Sequence, residues 1–313
     1  MKKIFTLAII ALMGIVGMQA QTVTVTKNDG SVITYRADEI KDIQFHPAAT
    51  VPDTVVVHEF TGYLTVSSKF FQDMYYGDSA RIKVMQVDGA YLARFEDAQW
   101  GTGLFNITMG AGGAINGTGK LTIKNPHAGT SNDYDATLSG KMTEITITAS
   151  TLMQGTTITW HYGTATEAVR LAGSYTGTDS VNVGGSFPYT SAEKVTYQVT
   201  SNADGTINLI VPQVKYNGTV MGDLTLGTYT IGNIAYDAET KTFTKAYKDD
   251  NIKFHFTAAN NGQTTMDKEY TFDKDVCKVT VSMNDKGQLV VSNTFQMGAM
   301  PFTIFGAFTG TKR

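Results

Sequence analysis

The chain has 313 residues, with 25 Lys+Arg against 28 Asp+Glu, a formal net charge of −3, 42% hydrophobic and 17% charged residues. That balance is too apolar and too weakly charged for intrinsic disorder, and without a basic block it lacks the electrostatic footprint that nucleic-acid binding requires. Thirty-one glycines, six prolines and threonine at about one residue in seven favour strands, because β-branched side chains fit a pleated surface while Gly serves turns and bulges.

Met1-Lys2-Lys3 is a short cationic start, Ile4 to Val16 an apolar run, and Gly17-Met18-Gln19-Ala20 a small-residue end. This is the pattern of a secretory signal peptide over residues 1–20, and the run is shorter than the roughly 20 apolar residues of a transmembrane anchor. A lipoprotein needs a cysteine directly after such a run, whereas the single cysteine is Cys277. The expectation is export to the periplasm, the outer-membrane surface or the medium, with neither a transmembrane nor a lipid anchor. One cysteine also excludes an internal disulfide, and alternation puts Cys277 on one face with Val279 and Val281, where it reads as a small buried hydrophobe.

Thr22-Val23-Thr24-Val25-Thr26 and Ser31-Val32-Ile33-Thr34-Tyr35 flank Asn28-Asp29-Gly30, a positive-φ turn, and predict a hairpin within residues 21–46. With its tail Glu39-Ile40-Lys41-Asp42-Ile43-Gln44-Phe45 it resembles a segment that follows the signal in exported proteins of gut-dwelling Gram-negative bacteria. Residues 47–55, with Pro47 and Pro52, read as an extended linker.

The remainder carries two copies of one plan, over residues 56–165 and 170–313. The copies open with Phe60-Thr61-Gly62-Tyr63 and Leu171-Ala172-Gly173-Ser174-Tyr175, and close on β runs bracketed by Gly155 and Gly163, and by Gly298 and Gly306. Copy one shows about eight strand-like runs, with turn chemistry at Asp88-Gly89 and Asn116-Gly117. Copy two shows eleven, some of which must merge or form insertions. Helical periodicity is confined to Ser68–Tyr75. Ile145, Ile147 and Ala149 oppose Glu144, Thr146 and Thr148, so one face of each sheet is buried. The reading is all-β, two tandem up-and-down antiparallel barrels of about eight strands each after an N-terminal hairpin, with a two-sheet sandwich as the alternative.

The openings and closings, together with Met221-Gly222-Asp223-Leu224-Thr225 and Ile231-Gly232-Asn233-Ile234, resemble the calycin-like (lipocalin- and avidin-like) β-barrel family of exported bacterial proteins. Tyr63 and Tyr175 stand where lipocalins carry an early Trp. The resemblance implies the barrel fold and small-molecule binding inside it, and it brings no catalytic residues.

The residues themselves offer little chemistry. His46, His58, His127, His161 and His255 show no metal-ligand spacing, and no Gly-x-Ser-x-Gly elbow is present, so no metal site, cofactor or enzymatic activity is expected. Glu96-Asp97 beside Trp100 could hydrogen-bond a sugar stacked on the indole, but adjacent strand residues point to opposite faces and cannot form an acid/base pair. Gly110-Ala111-Gly112-Gly113 lacks the Lys-Ser/Thr ending and the helix of a phosphate loop, and reads as a turn. Three tripeptides beginning at Asp53, Asp78 and Asp179 resemble the Asp-Ser/Thr-apolar acceptor of bacterial protein O-glycosylation, which would place glycans on Thr54, Ser79 and Ser180.

Two readings of function remain. In the first, the chain is a non-enzymatic barrel protein that encloses a small hydrophobic or amphipathic ligand, with Tyr63, Tyr91, Phe95, Trp160, Tyr175, Tyr197 and Tyr216 as candidate lining residues; an eight-stranded barrel is just wide enough to be filled by side chains or to hold one small ligand. In the second, it is an envelope or surface module that binds protein or glycan by its exposed faces.

Overall fold

The computed structural model describes residues 22–26, 30–36, 40–41, 54–124 and 129–313. The expected signal peptide, His46 and His127 lie outside them, as does most of the 47–55 segment. The chain divides into two units, Met1–Val51 and Pro52–Arg313. In the first, β1 (Thr22–Thr26) and β2 (Val32–Arg36) pair antiparallel, Thr22 opposite Arg36 and Thr26 opposite Val32, which is the hairpin that the alternation predicts.

The second unit begins with β3 (Thr54–Ser68), so strand pairing starts inside the segment read as linker, where Thr54 lies opposite Val87. There follow β4 (Met74–Tyr75), β5 (Ala80–Val87), β6 (Ala90–Asp97), β7 (Gly101–Met109), β8 (Ala114–Lys124), β9 (Ser131–Lys141), β10 (Glu144–Ala149) and β11 (Thr156–Tyr162). All pair with their sequence neighbours except β4, which caps β3, and β11 returns to β3 to close an eight-stranded barrel. Period-two alternation sends Leu64, Val66, Ile82, Phe95, Phe105, Leu121, Ile147 and Trp160 inward, all fully buried. These inward side chains form one continuous hydrophobic core in the first barrel.

Two local expectations are corrected here. Ser68–Tyr75 is not helical: Ser67 Oγ donates to Asp73 Oδ1 (2.9 Å) and accepts from Asp73 N (2.8 Å), Phe70 N donates to Ser68 Oγ (3.1 Å), and Asp73 has φ +48°. Side-chain to backbone bonds have outcompeted the helical ladder. Asn116-Gly117 is not a turn but lies inside β8, paired with Thr108 and Ile107. A Cβ at Gly117 would meet Asn106 O and come 2.7 Å from Ile107 Cγ2, so this Gly lets two strands approach. Asp88-Gly89 does form the β5–β6 turn, with φ of +49° and +84°.

The one α-helix among the described residues, α1 (Glu167–Leu171), sits between the two copies. Thr166 Oγ1 caps it by accepting from Val169 N (3.3 Å), Glu167 complements its N-terminus, and Ala168 and Leu171 pack into the core of the second barrel.

That barrel comprises β12 (Gly173–Val183), β13 (Phe187–Thr190), β14 (Val195–Ser201), β15 (Ile207–Val211), β16 (Val214–Thr219), β17 (Gly222–Leu226), β18 (Tyr229–Asp237), β19 (Thr242–Ala246), β20 (Lys253–Asn260), β21 (Gln263–Thr271), β22 (Lys278–Met283), β23 (Gln288–Phe295) and β24 (Ile304–Lys312). Eight of them close into a ring in the order β12-β14-β15-β18-β19-β22-β23-β24, with β24 returning to β12. The extra runs are insertions. β13 adds to the far half of β12, while the hairpins β16–β17 and β20–β21 combine into a separate four-stranded sheet. Its apolar face, including Tyr216, Leu224, Leu226 and Phe256, joins the same hydrophobic core as the barrel interior. Cys277 is fully buried beside Val279 and Val281, and burial pushes its thiol pKa up.

Candidate functional site

The two barrels differ inside. At the end of β12 distant from α1, the four-stranded sheet does not pack flush on the ring, and an apolar cavity of about 60 Å³ remains between β12, β13, the β16–β17 hairpin, Phe256 and the segment running from Met297 to Ile304. With its open mouth and the solvent there included, the free space comes to about 520 Å³. Its walls are Val181, Val183, Leu224, Leu226, Phe256 and Ile304, and three methionines, Met221, Met297 and Met300, supply adaptable thioether chains. At the mouth Phe187 is 46% and Val220 77% exposed. The Val220 amide donates to Tyr189 Oη (3.2 Å), a hydrogen bond that ties β13 to the β16–β17 turn.

A smaller cavity of about 20 Å³, room for roughly one water, adjoins the first, and Val181, Tyr216 and Leu226 line both. Its polar groups are Asp179, Tyr197, Tyr216, Tyr229 and Asn293. Tyr197 Oη donates to Asp179 Oδ2 (2.5 Å) and Tyr216 Oη to Asp179 Oδ1. Desolvation raises the Asp179 pKa, partly offset by the two phenol bonds, and burial holds both phenols well above their ordinary range. Beside them Asn293 Nδ2 donates to Tyr229 Oη (2.9 Å) while Asn293 Oδ1 accepts from Tyr247 Oη (2.7 Å). Two hydrogen-bonded groups, Asp179 with Tyr197 and Tyr216, and Asn293 with Tyr229 and Tyr247, thus stand in a largely apolar interior, with Phe308 stacked on Tyr197 at 4.0 Å.

Of the seven aromatics singled out from the sequence, Tyr197 and Tyr216 line this region. Tyr175 is fully buried nearby, its hydroxyl donating to Leu171 O (2.7 Å) and its pKa pushed up to about 12 by burial. Phe95 and Trp160 are filled-core residues of the first barrel, and Tyr91 packs half-buried against that core. Tyr63 is half-buried and stacks on His161 at 4.5 Å. His161 in turn contacts Thr65 Oγ1 (3.0 Å) and Glu144 (3.2 Å), and desolvation lowers its pKa against the pull of Glu144. In the sequence Asp179 stands out only as part of an acceptor tripeptide. Counting by two from Tyr175 to Val181 places it on the inward face, a signal the sequence did contain.

The other candidates fall on ordinary positions. Asp97 Oδ1 accepts from the amides of Gln99 (2.8 Å) and Trp100 (2.7 Å), and Glu96 pairs with Arg94 (2.6 Å). The segment Ala111–Gly113 is a single 3₁₀ turn. Thr54 and Ser79 are exposed; Ser180 is half-buried, with its Oγ donating to Ala307 O (3.3 Å). Among the described residues no group of three or more His, Cys, Asp or Glu side chains is placed to hold a metal, and no helix is long and apolar enough to cross a membrane.

Residues 171–311, the second barrel, match the calycin-like β-barrel domain family. No curated protein matches the chain. Among solved structures, a candidate outer membrane protein of Bacteroides fragilis is similar over 82% of this chain and 97% of its own, at 19% identity and a TM-score of 0.57. That likeness shows the fold across both barrels. Transferrin binding protein B of Neisseria meningitidis aligns over 94% of this chain and 84% of its own at 8% identity, with a TM-score of 0.21 that supports no structural argument.

Proposed function

We propose that this chain, whose residues 171–311 form a calycin-like β-barrel domain, is an exported, non-enzymatic protein that binds a small apolar or amphipathic ligand in the second barrel. The observation that carries the reading is the apolar cleft between the ring and its four-stranded sheet, rimmed by exposed Phe187 and Val220. Apolar side chains kept in contact with water cost roughly 25 cal/mol per Å², and a ligand that covers them recovers that free energy. The closed volume is small, so entry requires Met221, Met297 and Met300 to change rotamer, which their unbranched chains permit. The first barrel, with its own hydrophobic core, serves as a neighbour in this reading.

The test is native mass spectrometry of residues 21–313 purified from the source organism, against the denatured mass of the same sample. A non-covalent mass that disappears on denaturation is the expected result and identifies the ligand class. An empty chain that also shows no uptake of apolar probes would overturn the proposal. A second reading, an envelope or surface module for protein or glycan, draws support from the open polar groove of about 560 Å³ lined by Glu193, Lys194, Gln213, Lys215 and Asn217. Enrichment of an envelope component by the wild-type chain, lost on charge reversal of Lys194 and Lys215, would favour it.

A further inference from the structure

The apolar cleft leads towards Asp179, the one buried ionisable carboxyl in the described residues of the second barrel's interior. That acid is 5% exposed, makes no ion pair among the described residues, and neither cavity is lined by Lys, Arg or His. Its two oxygens offer about four lone-pair sites, of which the phenols of Tyr197 and Tyr216 use two. A buried carboxylate without a counter-ion is unfavourable, and phenol donors compensate it only in part. The neighbouring aromatic faces, Tyr229 and the stacked Tyr197–Phe308 pair, would attract a cation by their quadrupoles as well. No comparable anion-binding group is present, since the remaining polar lining, Asn293 and the tyrosines, is neutral.

We propose that the second barrel takes a ligand with an apolar body and a protonated amine, the body filling the methionine-lined cleft and the ammonium seated against Asp179 among Tyr197, Tyr216 and Tyr229. This rests on the reading of the cleft as a ligand site and adds the charge of the ligand's head group. The ammonium occupies the smaller cavity, donates to the free lone pairs of Asp179, and supplies the counter-ion that the barrel itself lacks. The raised pKa of Asp179 fits a carboxyl held in a dry interior until such a cation arrives.

The experiment compares octylamine, octanol and octanoate, three probes with one tail and three heads, by calorimetric titration of residues 21–313. The isotope-labelled methyl signals of Met221, Met297 and Met300 report whether the tail enters the cleft. The expected result is that all three methyl signals move with octylamine and that it binds at least about tenfold more tightly than octanol, with octanoate weakest. Asp179→Asn is expected to bring the amine-to-alcohol ratio close to one, whereas Asp285→Asn, which removes an exposed carboxyl that lines neither cavity, is expected to retain the preference. If octanol or octanoate moves the methyl signals and binds as well as octylamine to the wild-type chain, the amine assignment is overturned and the cleft reading stands. If no probe moves them, both fail. The wild-type comparison decides the matter even if Asp179→Asn does not fold.

Discussion

The indole of Trp160 occupies the space that a side chain at Gly62 would need: a Cβ there would come 2.7 Å from both Cε2 and Nε1 of Trp160 and would also meet His161 O. Gly62 pairs with Tyr162 on the β3–β11 seam that closes the first barrel, and Trp160 Nε1 donates to Ala80 O (3.1 Å) on β5. The glycine is thus a packing partner of the largest buried side chain. Gly62→Ala forces the indole or the seam to move, and overpacking of this kind costs about 1–3 kcal/mol. The expected outcome is a lower urea midpoint with an unchanged slope.

That seam also explains what could be read in advance. The opening Gly62-Tyr63 and the closing Ile158-Thr159-Trp160 are legible because barrel closure puts them on adjacent strands, and the bulky ring demands the missing side chain. Alternation likewise located the strands of the first barrel, where every run is a ring strand. In the second copy it could not separate ring from insertion, since β16, β17 and β20 alternate as cleanly as β15 and β18 and bury their apolar faces in the same core. Period two records which face is buried, not which sheet the strand joins. The cleft arises between those two sheets, so of the seven aromatics chosen from the sequence only Tyr216 lines it and Tyr197 the adjoining cavity, while Met221, Met297 and Met300 come from loops and turns without periodicity.

Asp78 ties the first barrel to the segment that leads into the second. Its carboxylate accepts from Arg170 Nη2 (2.7 Å), Ala165 N (3.0 Å) and Tyr75 Oη (2.7 Å), and the Arg170 guanidinium lies 5.9 Å from the Tyr75 ring centre. Burial and this acid push the Tyr75 phenol up to about 12. Asp78→Ala removes three bonds at a half-buried node, a loss of about 1–3 kcal/mol. Calorimetry of the variant is expected to split the unfolding of the two barrels into separate transitions, the loss falling on their coupling more than on either core.

Tyr189 guards the cleft through its single bond to the Val220 amide. Tyr189→Phe keeps the ring in the wall of the cleft, opposite Val181 on β12, but frees that amide, at a cost of about 1 kcal/mol, equivalent to roughly fivefold in an opening equilibrium. Amide exchange at Val220 is expected to accelerate by about that factor while exchange in β8 and β9 stays unchanged. Faster exchange everywhere would mean that the bond supports the whole fold instead of the mouth.

Asp179 gives the pH dependence an unusual sign. Its pKa is raised from 3.8 by desolvation, so above that value the folded state binds its proton more tightly than the unfolded chain does. Stability contributed by the protonated acid is therefore present at low pH and is lost as pH rises from about 3.8 through the higher folded value. A surface carboxylate held in an ion pair behaves in the opposite way. Asp179→Asn cannot ionise, and its amide keeps an acceptor for one of the two phenols. The difference in unfolding free energy, wild type minus variant, is thus expected to shrink as pH rises above about 4, measured by urea unfolding at each pH. A difference that grows with pH would mean that the ionised carboxylate is the stabilising form, and that the two tyrosines compensate its burial in full.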